Sequence, residues 1–406
     1  MPKFSLISKC LLQVAPCCCL LATTAQATPN DSIQFSAGLN INTDSNIFRL
    51  SPSANIPATL GRDSADETIR TATGSIAFTK DYGLQHVDLS ASAARYDYQN
   101  FSYLGFTAFN YSGGLRWSLT PRIRGNVLAT RRESQINFGD FQNVGVQSKR
   151  TETNTRGDAI YELDGAWQLV AGASNLDIKN TAPVVAQRSY EMNSVDAGIR
   201  RTWGSRSQAT WRLRRSSGKY SGGTNFANNS LPSGFDETEN EWTLSWVVTP
   251  KSTLETRLSY IQRRYDEYAA RDYSGVVSRT NLQWGISAQT SVLVAYMHEL
   301  TDYQTAYSSY IRSNRLVVIP SWQATPKLIL TFRQEFSDRQ FEGTLPGTTV
   351  SPLRKDRQQL SKLSATWKPR DSEDISVWAQ TEKRRSNYSG FDFTSHGVGV
   401  SLQINF

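Results

Sequence analysis

Cysteine and long apolar runs are scarce in this chain, and each scarcity excludes a class of structure. The only cysteines are Cys10, Cys17, Cys18 and Cys19, so we expect no disulfide and no cysteine metal site beyond that segment. After Ala27 no apolar run reaches the roughly eighteen residues that a membrane-spanning helix needs. The sequence therefore predicts neither a disulfide-stabilised protein nor a helical membrane protein.

The first 27 residues have the layout of a secretory signal peptide. Lys3 and Lys9 precede an apolar run, and Ala25-Gln26-Ala27 offers a small-x-small cleavage site. We predict cleavage after Ala27, which leaves residues 28–406 as one domain. The formal net charge of the whole chain is +8, and this mild excess does not favour nucleic acid as a partner.

The last nine residues alternate between apolar and polar side chains. Val398, Val400, Leu402, Ile404 and Phe406 fall on one face of a strand, since successive side chains point to opposite sides. A strand of this kind ending in Phe is typical of the closing strand of an outer-membrane β-barrel. We interpret these five residues as a signal for the barrel-insertion machinery.

Eight short turns recur about forty residues apart, the length of two strands plus one longer loop. The segments between them alternate with period two, and none has a convincing helical period. Two strands per turn plus a first and a last strand predict about 18 strands, with 16 as the alternative. The turns are Asp81–Gly83, Thr120-Pro121, Asp164-Gly165, Gly204-Ser205, Thr249-Pro250, Gly285–Gln289, Thr325-Pro326 and Lys368-Pro369.

Aromatic residues cluster at both ends of the predicted strands. Seven tryptophans lie within a few residues of a short turn, and tyrosines crowd the opposite ends, as in the girdles of membrane barrels. The sequence thus predicts an all-β antiparallel barrel in the outer membrane of a Gram-negative bacterium. Its short turns lie in the periplasm, and its long external loops are expected at 43–66, 218–240 and 342–356.

Scattered charges on the polar faces are candidates for the barrel lumen, because a charge in lipid costs roughly 2–4 kcal/mol at mid-depth. They form either a polar track for a hydrophilic substrate or cross-strand pairs that stiffen the wall, and the two readings are compatible. The candidate lumen-lining residues are Arg124, Arg212, Arg214, Glu255, Arg257, Arg333 and Glu335.

Enzyme chemistry is not expected. The chain has three histidines, His86, His298 and His396, and none lies in a recognisable nucleophile or metal-ligand pattern. We interpret them as ordinary wall or loop residues. The sequence thus predicts no catalytic residue, no metal site and no cofactor.

Pairs of basic residues lie near the external strand ends. They would bind lipopolysaccharide phosphates, attract an anionic polymer, or belong to ordinary solvated loops. The pairs are Arg131-Arg132, Lys149-Arg150, Arg214-Arg215, Arg263-Arg264 and Lys383–Arg385.

The first strand and its loop, Ser32 to Leu50, resemble the start of EpsL-type proteins, in which a strand runs into an Asp-x-Asn-x-Phe-Arg-Leu segment. Here that segment reads Asp44-Ser-Asn-Ile-Phe-Arg-Leu50. The resemblance implies an outer-membrane barrel encoded with exopolysaccharide genes, often exosortase-associated, that passes the polymer outward. It carries no catalytic residues.

Two main functions fit these features, and the first is the expected one. The first is a passive exit conduit for exopolysaccharide, with a periplasmic export partner that bridges to this barrel. The second is a general or solute-specific diffusion porin, whose hallmark would be an inward-folded constriction loop with opposed charges. A barrel enzyme acting on polymer or lipid is disfavoured by the missing motifs.

Overall fold

The computed structural model describes residues 32–136, 138–141, 146–181, 189–204, 206–221, 232–266, 268–303, 305, 308–344 and 352–406. The predicted signal peptide, residues 1–27, lies outside these ranges. Within them, no helix combines the length and the apolar character needed to cross a membrane.

In the described ranges, eighteen antiparallel strands form one closed sheet. Every strand pairs with its neighbours in chain order, and β1 pairs with β18, from Ser36 opposite Asn405 to Asp44 opposite Gly397. The predicted eighteen-stranded barrel is confirmed, and the alternative of sixteen strands is wrong. The strands are β1 Ile33–Asp44, β2 Glu67–Tyr82, β3 Gln85–Tyr98, β4 Phe106–Thr120, β5 Ile123–Gln135, β6 Lys149–Glu162, β7 Trp167–Asn180, β8 Ser189–Trp203, β9 Ser207–Ser221, β10 Gly234–Thr249, β11 Ser252–Tyr265, β12 Tyr273–Gly285, β13 Thr290–Asp302, β14 Tyr310–Thr325, β15 Leu328–Glu342, β16 Lys355–Trp367, β17 Glu373–Ser386 and β18 Phe393–Asn405.

Among the described loop residues, four short helical segments lie at the external end. They are the α-helices α1 (Ile56–Leu60) and α2 (Phe138–Phe141) and two 3₁₀ turns, Ser102–Leu104 and Ala269–Arg271. Asn55 caps α1 by accepting a hydrogen bond from the amide of Ala58, and Gly61 ends this helix in the left-handed conformation.

Alternation along each strand separates an apolar outer face from a polar lumen. On β18, Val398 and Val400 point outward and are 55% and 49% exposed, whereas Gly399 lies beneath an inward-facing side chain of β17. Exposed apolar residues continue around the barrel as a belt that matches the hydrocarbon core of a membrane. Members of this belt include Leu39, Ile76, Leu89, Leu115, Val127, Leu169, Val195, Leu213, Leu258, Val276, Leu316, Phe332, Leu363 and Val377.

All eight predicted short turns join consecutive strands at one end of the barrel. Gly83 and Gly204 adopt positive φ values of 62° and 58°, which a residue with a Cβ adopts only with strain. The neighbouring tryptophans point outward and are partly exposed, as a headgroup-level girdle requires. The partly exposed ones are Trp167, Trp203, Trp246, Trp284, Trp322 and Trp367.

The expected tyrosine girdle at the external end is only partly present. Tyr103 and Tyr260 are exposed, but Tyr98, Tyr265 and Tyr303 are buried on the inner side. The strands run to 16 residues, longer than the roughly 9–11 that span the membrane, so their external ends stand above it. Inner-face tyrosines at that height contact one another and the loops folded into the barrel.

The predicted external loops agree with the structure at two of three places. Gaps between strands lie at residues 45–66 and 343–354, as expected. The third predicted loop, 218–240, is shorter, because β9 extends to Ser221 and β10 begins at Gly234. Gly218 pairs with Phe235 across these strands, so the wall continues where a loop was expected.

Candidate functional site: a charged lumen beneath a narrowed mouth

Two external loops fold into the mouth of the barrel. We call them L1, residues 45–66 between β1 and β2, and L3, the described residues 136, 138–141 and 146–148 between β5 and β6. Phe48 of L1 is fully buried, and its ring centroid lies 4.8 Å from that of Phe101 and 4.9 Å from that of Phe138 in L3. An apolar core thus forms inside the mouth and takes the place of solvent there.

L3 crosses the mouth to a distant part of the wall. Asp140, in α2, accepts hydrogen bonds from both terminal nitrogens of Arg339 on β15, at 2.7 and 3.1 Å. It also pairs with Arg384 on β17 at 3.2 Å, and Arg384 donates to the carbonyl of Gly139. Because β15 is ten strands from β5 in one direction and eight in the other, L3 reaches nearly the opposite side.

The ion pair at Asp140 remains charged over a wide pH range. Burial would raise the pKa of the Asp140 carboxyl, but Arg339 and then Arg384 outweigh it and lower the pKa to about 2. The carboxylate is therefore ionised at neutral pH, and L3 stays attached to β15 and β17.

L1 is held by a second set of ion pairs. Arg49 donates to Asp44 at 2.8 Å and to Glu382 of β17 at 3.1 Å. Burial lowers the pKa of Arg49, but Glu382 and Asp44 raise it above the ordinary value, so the guanidinium stays charged. Arg49 also has a positive φ of 57°, a strained conformation for a residue with a Cβ, which these contacts maintain.

The segment that carries the family resemblance is the part of L1 that enters the mouth. Asn46 accepts from the amide of Leu50 at 2.9 Å and donates to its carbonyl at 2.8 Å, closing a tight loop. Asp44, Phe48 and Arg49 supply the contacts described above. The motif residues therefore have a structural role here, as the anchor of L1.

The lumen below the mouth contains a continuous network of charges on β6 and β8–β11. Asp196 pairs with Arg156 at 2.8 Å, and Glu239 pairs with Arg214 at 2.8 Å and with Arg257 at 2.5 Å. The pair Arg257–Glu241, at 2.7 Å, and the longer pair Arg212–Asp196, at 3.6 Å, complete the network. These ion pairs join neighbouring strands and stiffen the wall, as the second of the two interpretations of the lumen charges predicts.

The two signs of charge are not equally accessible in this network. The carboxylates of Asp196, Glu239 and Glu241 are 0%, 4% and 6% exposed, whereas Arg257 is 46% exposed. The arginines lie over the acids, so a solute in the lumen meets guanidinium groups first. Nearly equal numbers of charges thus present a positive surface.

The structure puts all seven candidate lumen residues on the inner face but in separate groups. Arg212, Arg214 and Arg257 belong to the central network. Arg124 pairs with Glu162 at 2.9 Å near the periplasmic end, and Glu255 lies between Ser245 and Asn281 of the neighbouring strands. In another part of the wall, Glu335 pairs with Arg333 at 2.6 Å and with Arg315 at 3.5 Å.

The basic pairs near the external ends are divided between the two faces of the wall. In three of them one residue points inward to an acid of the mouth or lumen: Arg214 contacts Glu239, Arg263 contacts Glu237, and Arg384 contacts Asp140. Their neighbours in sequence, Arg215, Arg264, Lys383 and Arg385, fall on the outer face by register.

The histidines are not brought together. His86 lies between Asp81 and Asp88, at 2.5 and 2.9 Å, beside a periplasmic turn. His298 is on the outer face and contacts Asn314 at 2.7 Å. Over the described ranges, no group of three or more metal-ligating side chains is found.

Sequence reasoning did not identify Asp140 or Arg339 as residues of the mouth, and it named Arg384 only within a basic cluster and Arg49 only within the segment that carries the resemblance. The signal was the Phe-Gly-Asp-Phe run at 138–141, because two aromatic residues in a loop need an apolar partner. Which acid meets which arginine across the lumen depends on the closed tertiary structure and was not readable from spacing.

Comparisons with known proteins support the architecture. Residues 245–406 match a family model described as "Putative beta-barrel porin 2". Among solved structures, OccK2 (OpdF) of Pseudomonas aeruginosa matches with a TM-score of 0.52 at 12% identity, over 92% of this chain and 98% of that one. OpdQ of the same organism matches with a TM-score of 0.51 at 10% identity, over 93% and 100% of the two chains. A search of curated protein sequences gave no significant match.

At such low identity these structures share the fold with this chain. Together with the apolar outer belt and the tryptophan girdle, the likeness confirms a barrel of the Gram-negative outer membrane. In the part of the chain that the structure describes, the protein is therefore a closed, eighteen-stranded outer-membrane barrel with a charged lumen and two inward-folded loops.

Proposed function

We propose that this barrel is a non-enzymatic diffusion channel for small hydrophilic solutes, with a preference for anions. The observation that carries the proposal is the difference in exposure within the central network. Arg257 is 46% exposed, whereas the acids that it pairs with, Glu239 and Glu241, are nearly covered. Charges lining a low-dielectric channel raise the local concentration of the opposite charge, so negative solutes should enter more readily.

The folded loops support a channel for small solutes. L3 is attached to β15 and β17 through Asp140, and L1 is attached to β17 through Arg49. Loops that narrow the mouth set an upper limit on solute size. A barrel of eighteen strands would otherwise have a wide aqueous opening.

Uptake into proteoliposomes tests the proposal. Purified protein is reconstituted, and osmotic swelling is compared for carboxylates, neutral solutes and amines of similar size. We expect swelling with small solutes, fastest for carboxylates, and little swelling with oligosaccharides. Equal rates with liposomes that lack protein would contradict the channel, and faster uptake of amines would contradict the anion preference.

Export of exopolysaccharide, which the resemblance to EpsL-type proteins implies, is the second candidate. One strip of the lumen favours it, because Ser401, Gln403 and Asn405 present uncharged polar side chains to a sliding polymer. The ion pairs of L1 and L3 act against it, since a polymer would need both loops to leave the mouth. Deletion of the gene distinguishes the two: trapped polymer in the envelope favours export, and normal surface polymer argues against it.

We also propose partners for this barrel. Arg215, Arg264, Lys383 and Arg385 suit the phosphates of lipopolysaccharide, because they lie on the outer face near the external strand ends. Loss of bound lipopolysaccharide after their joint replacement by Gln would support this role. A periplasmic export partner belongs only to the second candidate function.

A further inference from the structure

Trp378 differs from every other tryptophan in the chain. The other nine lie on outward positions of their strands, where the ring meets lipid or the headgroup layer. Trp378 is inward by register, since it pairs with Gly399 on β18 and Ser364 on β16. A large aromatic ring in a polar lumen is therefore the exception in this wall.

One glycine of β18, Gly399, makes room for the indole of Trp378. A Cβ on Gly399 would lie 2.6 Å from ring atoms, so even alanine at this position would displace the indole. A Cβ on Gly397 would lie 3.5 Å from the ring edge, an ordinary van der Waals contact, and its close approach at 2.8 Å is to the carbonyl of Thr43. Part of this arrangement is structural, because the ring covers backbone that glycine leaves bare.

A cation and several small polar groups surround the partly exposed ring. The ammonium of Lys362 on β16 lies 4.2 Å from the ring centroid, within the range of a cation–π contact. Gln380 and Ser376 flank Trp378 on the lumen side of β17, and Ser401 lies next to Gly399 on the same face of β18. This part of the lumen therefore combines an aromatic ring, a positive charge, and nearby amide and hydroxyl groups.

We propose that Trp378 and Lys362 form a binding subsite for an acidic pyranose, a sugar ring that carries a carboxylate. The ammonium of Lys362, which lies over the ring, would move aside to pair with the carboxylate, and the apolar C–H face of the sugar would take its place on the indole. The hydroxyls would meet Gln380 and Ser401. A few well-placed polar groups around an apolar surface are the usual composition of a small-molecule site. This subsite rests on the proposed function, because it names a solute class for the same lumen.

Equilibrium binding of galacturonate to the purified barrel in detergent tests the subsite without requiring conductance. We expect saturable binding, and we expect affinity to fall roughly tenfold in Trp378→Ala, the effect of one lost stacking or cation contact. Gly399→Ala should weaken binding similarly while it keeps the tryptophan, because the added methyl displaces the ring. The outward Trp242→Ala is the matched control and should bind normally.

Lys362→Gln separates the two parts of the site. It should weaken galacturonate binding and leave the weaker binding of galactose unchanged. Equal affinity of Trp378→Ala and the parent protein would overturn the subsite, and so would equal binding of galactose and galacturonate by the parent. Folding of each variant is checked by heat-modifiable mobility on gels. Binding without solute uptake in liposomes would contradict the channel and leave the subsite standing.

Discussion

At the scale of single residues, Asp140 is the contact on which the narrowed mouth depends most. One carboxylate meets Arg339 and Arg384 from two different strands, and its pKa is about 2. A lowered pKa means that the ionised form stabilises the folded loop. This contribution is complete above the ordinary pKa near 3.8 and is lost as the pH falls toward 2.

Replacement of Asp140 by Asn should release L3. The fall of the pKa from 3.8 to about 2 corresponds to roughly 2–3 kcal/mol, which changes the populations of held and released loop by about sixtyfold. Single-channel recordings should then show a larger or more frequent high-conductance level at neutral pH. The parent protein should show the same level only below about pH 3. Asp164→Asn, in a periplasmic turn, is the control, and identical recordings for Asp140→Asn and the parent would contradict the role of L3.

Arg257 should control the charge preference of the lumen. Arg257→Gln removes the most exposed arginine over Glu239 and Glu241 and leaves three arginines and three acids in the network, so the local surface loses its positive excess. Because charge-assisted contacts of this kind contribute about 1.5–3 kcal/mol, we expect carboxylate uptake by liposomes to fall roughly tenfold. Arg257→Lys keeps the charge and should retain most uptake, while Arg215→Gln, on the outer face, should leave it unchanged. Unaltered uptake by Arg257→Gln would remove this residue from the solute path.

At the scale of elements, L1 and L3 form one packed unit through Phe48. Truncation of a buried Phe to Ala costs about 3–5 kcal/mol in a core. Phe48→Ala should therefore loosen both loops and leave the strands paired. Trypsin cleavage after Arg62 of L1 should become faster in proteoliposomes, while the barrel core stays resistant. The lipid-facing Phe35→Ala provides the control, and equal cleavage rates in all three proteins would contradict the packing of L1.

Substitutions at two adjacent strand positions test which face of the wall meets lipid. Leu89 on β3 points to lipid and is 49% exposed, whereas Ser90 points to the lumen. Leu89→Arg should lower the free energy of unfolding by roughly 2–4 kcal/mol, and Ser90→Arg should be tolerated. Urea unfolding in lipid vesicles measures both. Equal destabilisation by the two substitutions would contradict the assigned faces.

The strands and loops differ in how much of their structure could be predicted from the sequence. Period two and turn chemistry are local, so Val398–Ile404 could be assigned to faces and Thr120-Pro121 to a turn without tertiary information. The attachment of Asp140 to Arg339 joins residues 199 positions apart, and no local pattern encodes that contact. Trp378 was missed for a related reason: its lumen position follows from the register of β17 against Gly399.

At the scale of the whole molecule, closure between β1 and β18 removes the free sheet edges, as a membrane requires of every backbone polar group. The amide of Phe406 donates to the carbonyl of Phe35 at 2.8 Å at this seam. The role of the five outward residues Val398 to Phe406 as an insertion signal stays a prediction. The closed wall leaves only the mouth and the periplasmic opening as routes for solute, and L1 and L3 narrow the mouth.

The most direct measurement of the central claim is the reversal potential of single channels in a planar bilayer under a tenfold KCl gradient. We expect discrete conductance steps and a reversal potential of the sign that indicates chloride preference, because arginines cover the acids of the lumen network. A cation-selective potential, or the absence of any conductance from correctly folded protein, would contradict the account.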